Sequence, residues 1–73
     1  MSYKMNKNGV NYEMGADIKE VGPGDAVKVG PGRLEVITSI TPSGSWDKHI
    51  VTESGQVLSM LNVLAYGKKE EKK

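Results

Sequence analysis

Apolar and polar residues alternate along most of this chain, and the alternation stops at glycines. A period of two is the mark of a strand with one buried face. Over residues 2–14 it describes a hairpin, with Asn8-Gly9 as a two-residue turn whose central positions both need positive φ. Folding there sets Lys7 opposite Val10, Met5 opposite Tyr12 and Tyr3 opposite Met14 on one side. Lys4 and Glu13 form an opposite-charge pair on the other. The alternative for this stretch is a frayed, Lys/Asn-rich terminus.

Residues 15–24 read as a connection in which Ile18 and Val21 anchor either a helical turn or a short edge strand. Val21-Gly22-Pro23-Gly24 and Val29-Gly30-Pro31-Gly32 are the same four residues, and they bracket a strand over Asp25–Val29. Pro sets φ at the first central position of a type II turn, and the following Gly accepts the positive φ of the second. Within the strand, Val27 and Val29 share one face, Ala26 and Lys28 the other. Arg33–Thr41 is the longest strand candidate, with Leu34, Val36, Thr38 and Ile40 on one face. Ile37 breaks that pattern, as it would in a strand that bends and is buried on both faces near its middle.

Thr41-Pro42-Ser43-Gly44-Ser45 signals a loop, Lys48–Thr52 a strand, Glu53-Ser54-Gly55 a tight turn and Gln56–Ser59 a returning strand. Residues 57–64 are ambiguous, because Val57, Leu58, Met60, Leu61 and Leu64 also fit a helical stripe. The β-branched Val57 and Val63 and the preceding turn favour strand, a single helical turn at Met60-Leu61-Asn62, and a last strand Val63–Tyr66. Residues 68–73 hold no apolar side chain and are expected to be disordered.

The prediction is an all-β chain: an N-terminal hairpin and connection over residues 1–20, a barrel-like unit over 21–67 and a charged tail over 68–73, forming a single domain. At 73 residues with no Cys, it must rely on an aliphatic, Met-filled core. Ten Lys/Arg against nine Asp/Glu leave a charge of +1, no strong field for nucleic acid or membrane. Arg33 is the single Arg, and Arg is the residue that reads base edges bidentately. No apolar run reaches the length of a membrane span, and the N-terminus lacks the apolar stretch of a signal peptide, so a cytoplasmic location is expected.

From Val21 onward the order of elements resembles SH3-like small barrels, in particular the KOW and Tudor-like group. Members often begin with a Gly-Asp-x-Val-x-Val run, here Gly24-Asp25-Ala26-Val27-Lys28-Val29. They often close with a strand, a short 3₁₀ turn carrying Asn and a final strand, here Ser59-Met60-Leu61-Asn62-Val63-Leu64. The resemblance covers residues 21–66 and implies a five-stranded barrel to which the N-terminal hairpin is added. It also implies a binding module that presents loops and a sheet face to protein, RNA or DNA. Tudor-type ligand cages are built from aromatics, and this part of the chain offers Trp46 and Tyr66.

The residues themselves argue against catalysis. His49 is the only His, and neighbours on a strand point to opposite faces, so Lys48 and His49 cannot address one site. No metal-ligand spacing or phosphate-binding loop is present, and no cofactor is expected. The leading expectation is therefore a non-catalytic module that binds a larger protein. Its contact is Trp46 and the loop over 41–49, with Lys48, His49, Arg33, Lys28 and Tyr66 as candidate partner-binding residues. Trp46 reads equally as a lid folded over the barrel end. The runner-up is a nucleic-acid-associated module using Lys28, Arg33, Lys48 and Trp46 as a stacking platform. A third reading is a subunit of a homo-oligomer, with the hairpin pairing across an interface.

Overall fold

A computed structural model describes residues 3–43 and 47–70. The chain turns at Asn8 and Gly9, both at positive φ, to form strands β1 (Tyr3–Lys7) and β2 (Val10–Ala16). Their register pairs Tyr3 with Met14, Lys4 with Glu13, Met5 with Tyr12 and Lys7 with Val10, as the alternation implies. The connection contains a 3₁₀ turn at Ile18–Glu20, closed by a capping box between Asp17 and Glu20. This resolves the choice left open there in favour of the helical turn.

Strand β3 (Ala26–Gly30) lies between the two Pro-Gly turns, with Gly24 at φ 96° and Gly32 at φ 67°. The Asp25 N–H donates to the Gly22 carbonyl at 3.0 Å, closing the first turn. Strand β4 (Arg33–Ser43) follows, then β5 (Asp47–Thr52), β6 (Val57–Ser59), a 3₁₀ turn at Met60–Asn62 and β7 (Ala65–Lys69). Among the described residues there is no helix beyond the two 3₁₀ turns. Among the described residues all pairings are antiparallel, in one open sheet of seven strands ordered β1-β2-β7-β3-β4-β5-β6. Strands β1 and β6 are its edges.

Two elements outrun their sequence-based limits. Strand β4 reaches Ser43, so Thr41 and Pro42 belong to the ladder with β5 and not to the loop. Strand β7 starts at Ala65, two residues later than expected, and continues through Lys68 and Lys69, which pair with Glu13 and Tyr12 of β2. The expected disordered tail from Lys68 is corrected here. These two lysines are charged, yet their backbone is held by ladder hydrogen bonds and by Asp25.

Asp25 is 8% exposed. Its Oδ2 accepts the Gly22 N–H at 2.9 Å and its Oδ1 accepts the Lys69 N–H at 2.8 Å. The Lys68 ammonium stands 3.7 Å from the same carboxylate. One side chain thus fixes the turn before β3 and the end of β7 together.

The sheet has a core on each face. Tyr12, Met14, Ala26 and Leu34 form one; Val21, Val27, Ile37 and Ile50 form the other. Ala26 and Val27 are adjacent on β3 and both 0% exposed, so β3 is buried on both sides. Strand β4 pairs with β3 through Val36 and with β5 from Ile37, with a register shift between Ile37 and Ser39. Leu34 and Ile37 lie an odd number of residues apart and so face opposite sides, one in each core, which is why the apolar alternation fails at Ile37; the shift after it brings Ile40 to the Ile37 side.

The first core is thin. Gly67 of β7 sits beneath Met14, and a Cβ there would run into the Met14 thioether and approach Tyr12 Cβ at 3.2 Å. Small residues at Ala26, Ala65 and Gly67 let the sheet curl over this face. Tyr3 on the edge strand thereby reaches Lys28 on β3, whose ammonium lies 3.4 Å from the Tyr3 hydroxyl and 5.4 Å from the ring centre.

Candidate functional site

Among the described residues, the sequence-derived site residues do not converge. Lys28 is half-buried on the β3 face that carries the first core, with its ammonium over Tyr3. Arg33 is exposed where β4 begins, lining a shallow cleft of about 480 Å³ with Lys7 and Asn8 of the first hairpin tip. His49 is exposed on β5 between Thr41 and Ser59, while Lys48 is half-buried opposite Pro42. Trp46, on which the expected loop contact centres, lies outside the described residues, as do Gly44 and Ser45.

Tyr66 is half-buried. It packs on the cluster of Val21, Val27, Ile37 and Ile50, and its hydroxyl is buried without a hydrogen-bond partner among the described residues. Burial pushes its phenol above the usual tyrosine range, and the carboxylates Asp17 and Asp47 push the same way.

Charged groups serve the frame more than any pocket. Lys4 and Glu70 pair at 2.8 Å across the β1 side of the sheet. The hydrogen bond and charge of Glu70 raise the Lys4 ammonium above its ordinary value. Burial raises Tyr12, with Glu53 and then Asp25 adding to it. Glu35 accepts the Ser54 hydroxyl at 2.7 Å, tying β4 to the turn before β6. Among the described residues no three of His, Cys, Asp and Glu gather where a metal ion could sit. None of their helices is long and apolar enough to cross a membrane.

Exposed apolar side chains draw attention elsewhere. Val57 is 63%, Leu61 69% and Leu64 64% exposed, one on β6, one in the 3₁₀ turn after it and one just beyond. No residue between Glu53 and Lys68 carries a charge. The sequence holds the signal, as an apolar run without charges, but a helical stripe and a core strand leave the same signature. The fold separates them: Leu58, Met60 and Val63 are half-buried while the other three face water.

The β6 edge differs chemically from the β1 edge. Strand β1 is lined by Lys4, Asn6 and Lys7, the kind of residue that blunts an edge against unwanted pairing. Strand β6 is Val-Leu-Ser. No protein-family model matches this chain, and no curated protein or solved structure does either.

Proposed function

We propose that this chain is a non-catalytic binding module that docks on a larger protein or assembly through the segment from Val57 to Leu64. One observation carries the reading: three large apolar side chains stand in water on a stretch with no charge. Scattered exposed leucines are ordinary, but exposed apolar side chains gathered in one uncharged segment of chain point to an interaction site. This reading places the contact on the β6 side of the sheet; the expected contact at Trp46 and the 41–49 loop centres on residues outside the described ones.

An SH3-like barrel is the finer fold that fits this reading. Its support is the succession β3, β4, β5, β6, 3₁₀ turn, β7, in which β7 returns to pair with β3. In such an arrangement the N-terminal hairpin extends the barrel past β7, leaving β6 and the turn after it free for a partner. The expected kinship with the KOW and Tudor-like group rests on the same succession and on Gly24-Asp25 at the head of β3.

A photo-crosslinking residue placed at Leu61 tests the proposal, with the same residue at the exposed Lys19 as control. In a lysate of the native host, the Leu61 probe should give a discrete adduct with another protein that the Lys19 probe does not. Equal, diffuse labelling from both positions would refute a dedicated surface here.

A further inference from the structure

We infer that the β6 edge accepts an extended, uncharged peptide strand from the partner, adding an eighth strand to the sheet. This rests on the docking surface proposed above and specifies how it is used. The backbone supplies the argument. Thr52 N–H donates to the Gln56 carbonyl at 3.0 Å, and β6 then pairs Val57 with Val51, Leu58 with Ile50 and Ser59 with His49 without a register shift. Bonded and non-bonded pairs alternate in an antiparallel ladder. Leu58 therefore spends its N–H and carbonyl on Ile50, while Val57 turns its N–H and carbonyl outward and Ser59 its N–H, the Ser59 carbonyl being taken by the 3₁₀ turn it caps.

Outward donors and acceptors on an unblunted edge are a template for strand addition, with main-chain bonds for affinity and side-chain contacts for choice. The β1 edge of the same sheet carries Lys4 and Lys7; β6 carries no charge and shows Val57 at 63% exposure. Charge selects the occupant: with no charged residue between Glu53 and Lys68, nothing in this segment can pair with an ionic side chain. Size selects against a second copy. A strand of three residues and three exposed side chains falls well short of the roughly 800 Å² per partner of stable dimers. A short peptide strand with small apolar residues at alternate positions fits what is offered.

The test uses the full chain and a capped peptide, Gly-Thr-Val-Thr-Val-Thr-Gly, together with the same peptide N-methylated at alternate residues along one edge. Residue-resolved amide exchange is the readout. In the free protein, Leu58 N–H should be protected and those of Val57 and Ser59 should exchange freely. Millimolar parent peptide should slow Val57 and Ser59 at least fivefold, and the N-methylated peptide should leave them unchanged. Val57→Pro, which removes an outward donor and no β5 bond, should keep the fold and abolish the effect.

Slow exchange at Val57 and Ser59 before any peptide is added would overturn the inference. So would equal perturbation by both peptides, or no perturbation by either. Protection that grows with protein concentration alone, with a dimer in light scattering, would assign the edge to a second copy instead. Equal action by both peptides with an intact Leu61 crosslink would leave the docking surface standing without strand addition. Loss of the crosslink itself would remove the surface.

Discussion

Asp25 shows how much one carboxylate does in a small sheet. It is buried and accepts N–H donors from Gly22 and Lys69, residues on opposite sides of it in the chain. Asp25→Ala would leave both donors short of a partner, each worth about 1–3 kcal/mol when partly buried. We expect a loss of about 2–4 kcal/mol in urea unfolding, with Asp25→Asn in between. The bonds of Asp25 were not legible in the sequence, where it stands as the first residue of the strand Asp25–Val29 and the Asp of the Gly24-Asp25 run. Its partner Lys69 is 44 residues away, and nothing local announces that bond.

Gly67 makes a sharper prediction, because its neighbour is known. Gly67→Ala forces Met14 aside and should destabilise by about 1–3 kcal/mol. Met14→Ala empties a site 1% exposed and should lose about 2–5 kcal/mol. The double variant should lose less than the sum, since the new methyl enters the space the thioether vacates. Additive losses in a double-mutant cycle would mean that the two residues do not share that space.

At the scale of elements, the turns and alternations were the readable part. Asn8-Gly9, the two Pro-Gly turns and the bend at Ile37 are each written in a few adjacent residues, so the hairpin register and the two-faced burial of β4 follow from local chemistry. Strand β7 was only half readable. Its continuation through Lys68 and Lys69 depends on pairing with β2, and charge composition pointed the other way. The surface around Leu61 was visible as an apolar run, but whether that run lay inside or outside depended on the turn at Met60–Asn62.

Strand β7 also carries a pH signature. Burial raises the Tyr66 phenol, and it raises Tyr12 on β2 as well. Unfolded tyrosines ionise near pH 10 while these two hold their protons, so the unfolded chain binds fewer protons above that pH. Stability from this source is full below pH 10 and falls as pH climbs towards the raised folded values. Tyr66→Phe removes a buried hydroxyl that no described group satisfies. It should leave neutral-pH stability unchanged or raise it by up to about 1 kcal/mol. Melting curves between pH 8 and 11 should flatten in that variant, and an unchanged slope would place the alkaline loss elsewhere.

For the whole molecule, the two cores are not separable. Ala26 and Val27 send their side chains to opposite faces of one strand, and β4 contributes to both clusters. Shortening the chain to residues 17–73 would remove Tyr12 and Met14 and strip the cover from Ala26. We expect the remainder to lose its cooperative melt and well-dispersed amide spectrum. A folded, monomeric 17–73 fragment would show that the hairpin is an appendage. The candidate contacts read from residue type alone, Lys28, Arg33, Lys48, His49 and Tyr66, fell on different faces for the same reason. A curled sheet with two cores scatters residues that a linear reading groups together.

The place of β7 in the sheet has a consequence for how the protein is made. It is the last of the seven strands in chain order, yet it lies between β2 and β3. A ribosome that has delivered β1 through β6 has delivered two unconnected pieces, a hairpin and a four-strand ribbon, each with an open flank. The final strand to emerge is the one that joins them, so assembly waits for synthesis to pass Lys69, and nascent chains stalled earlier offer chaperones a bare seam.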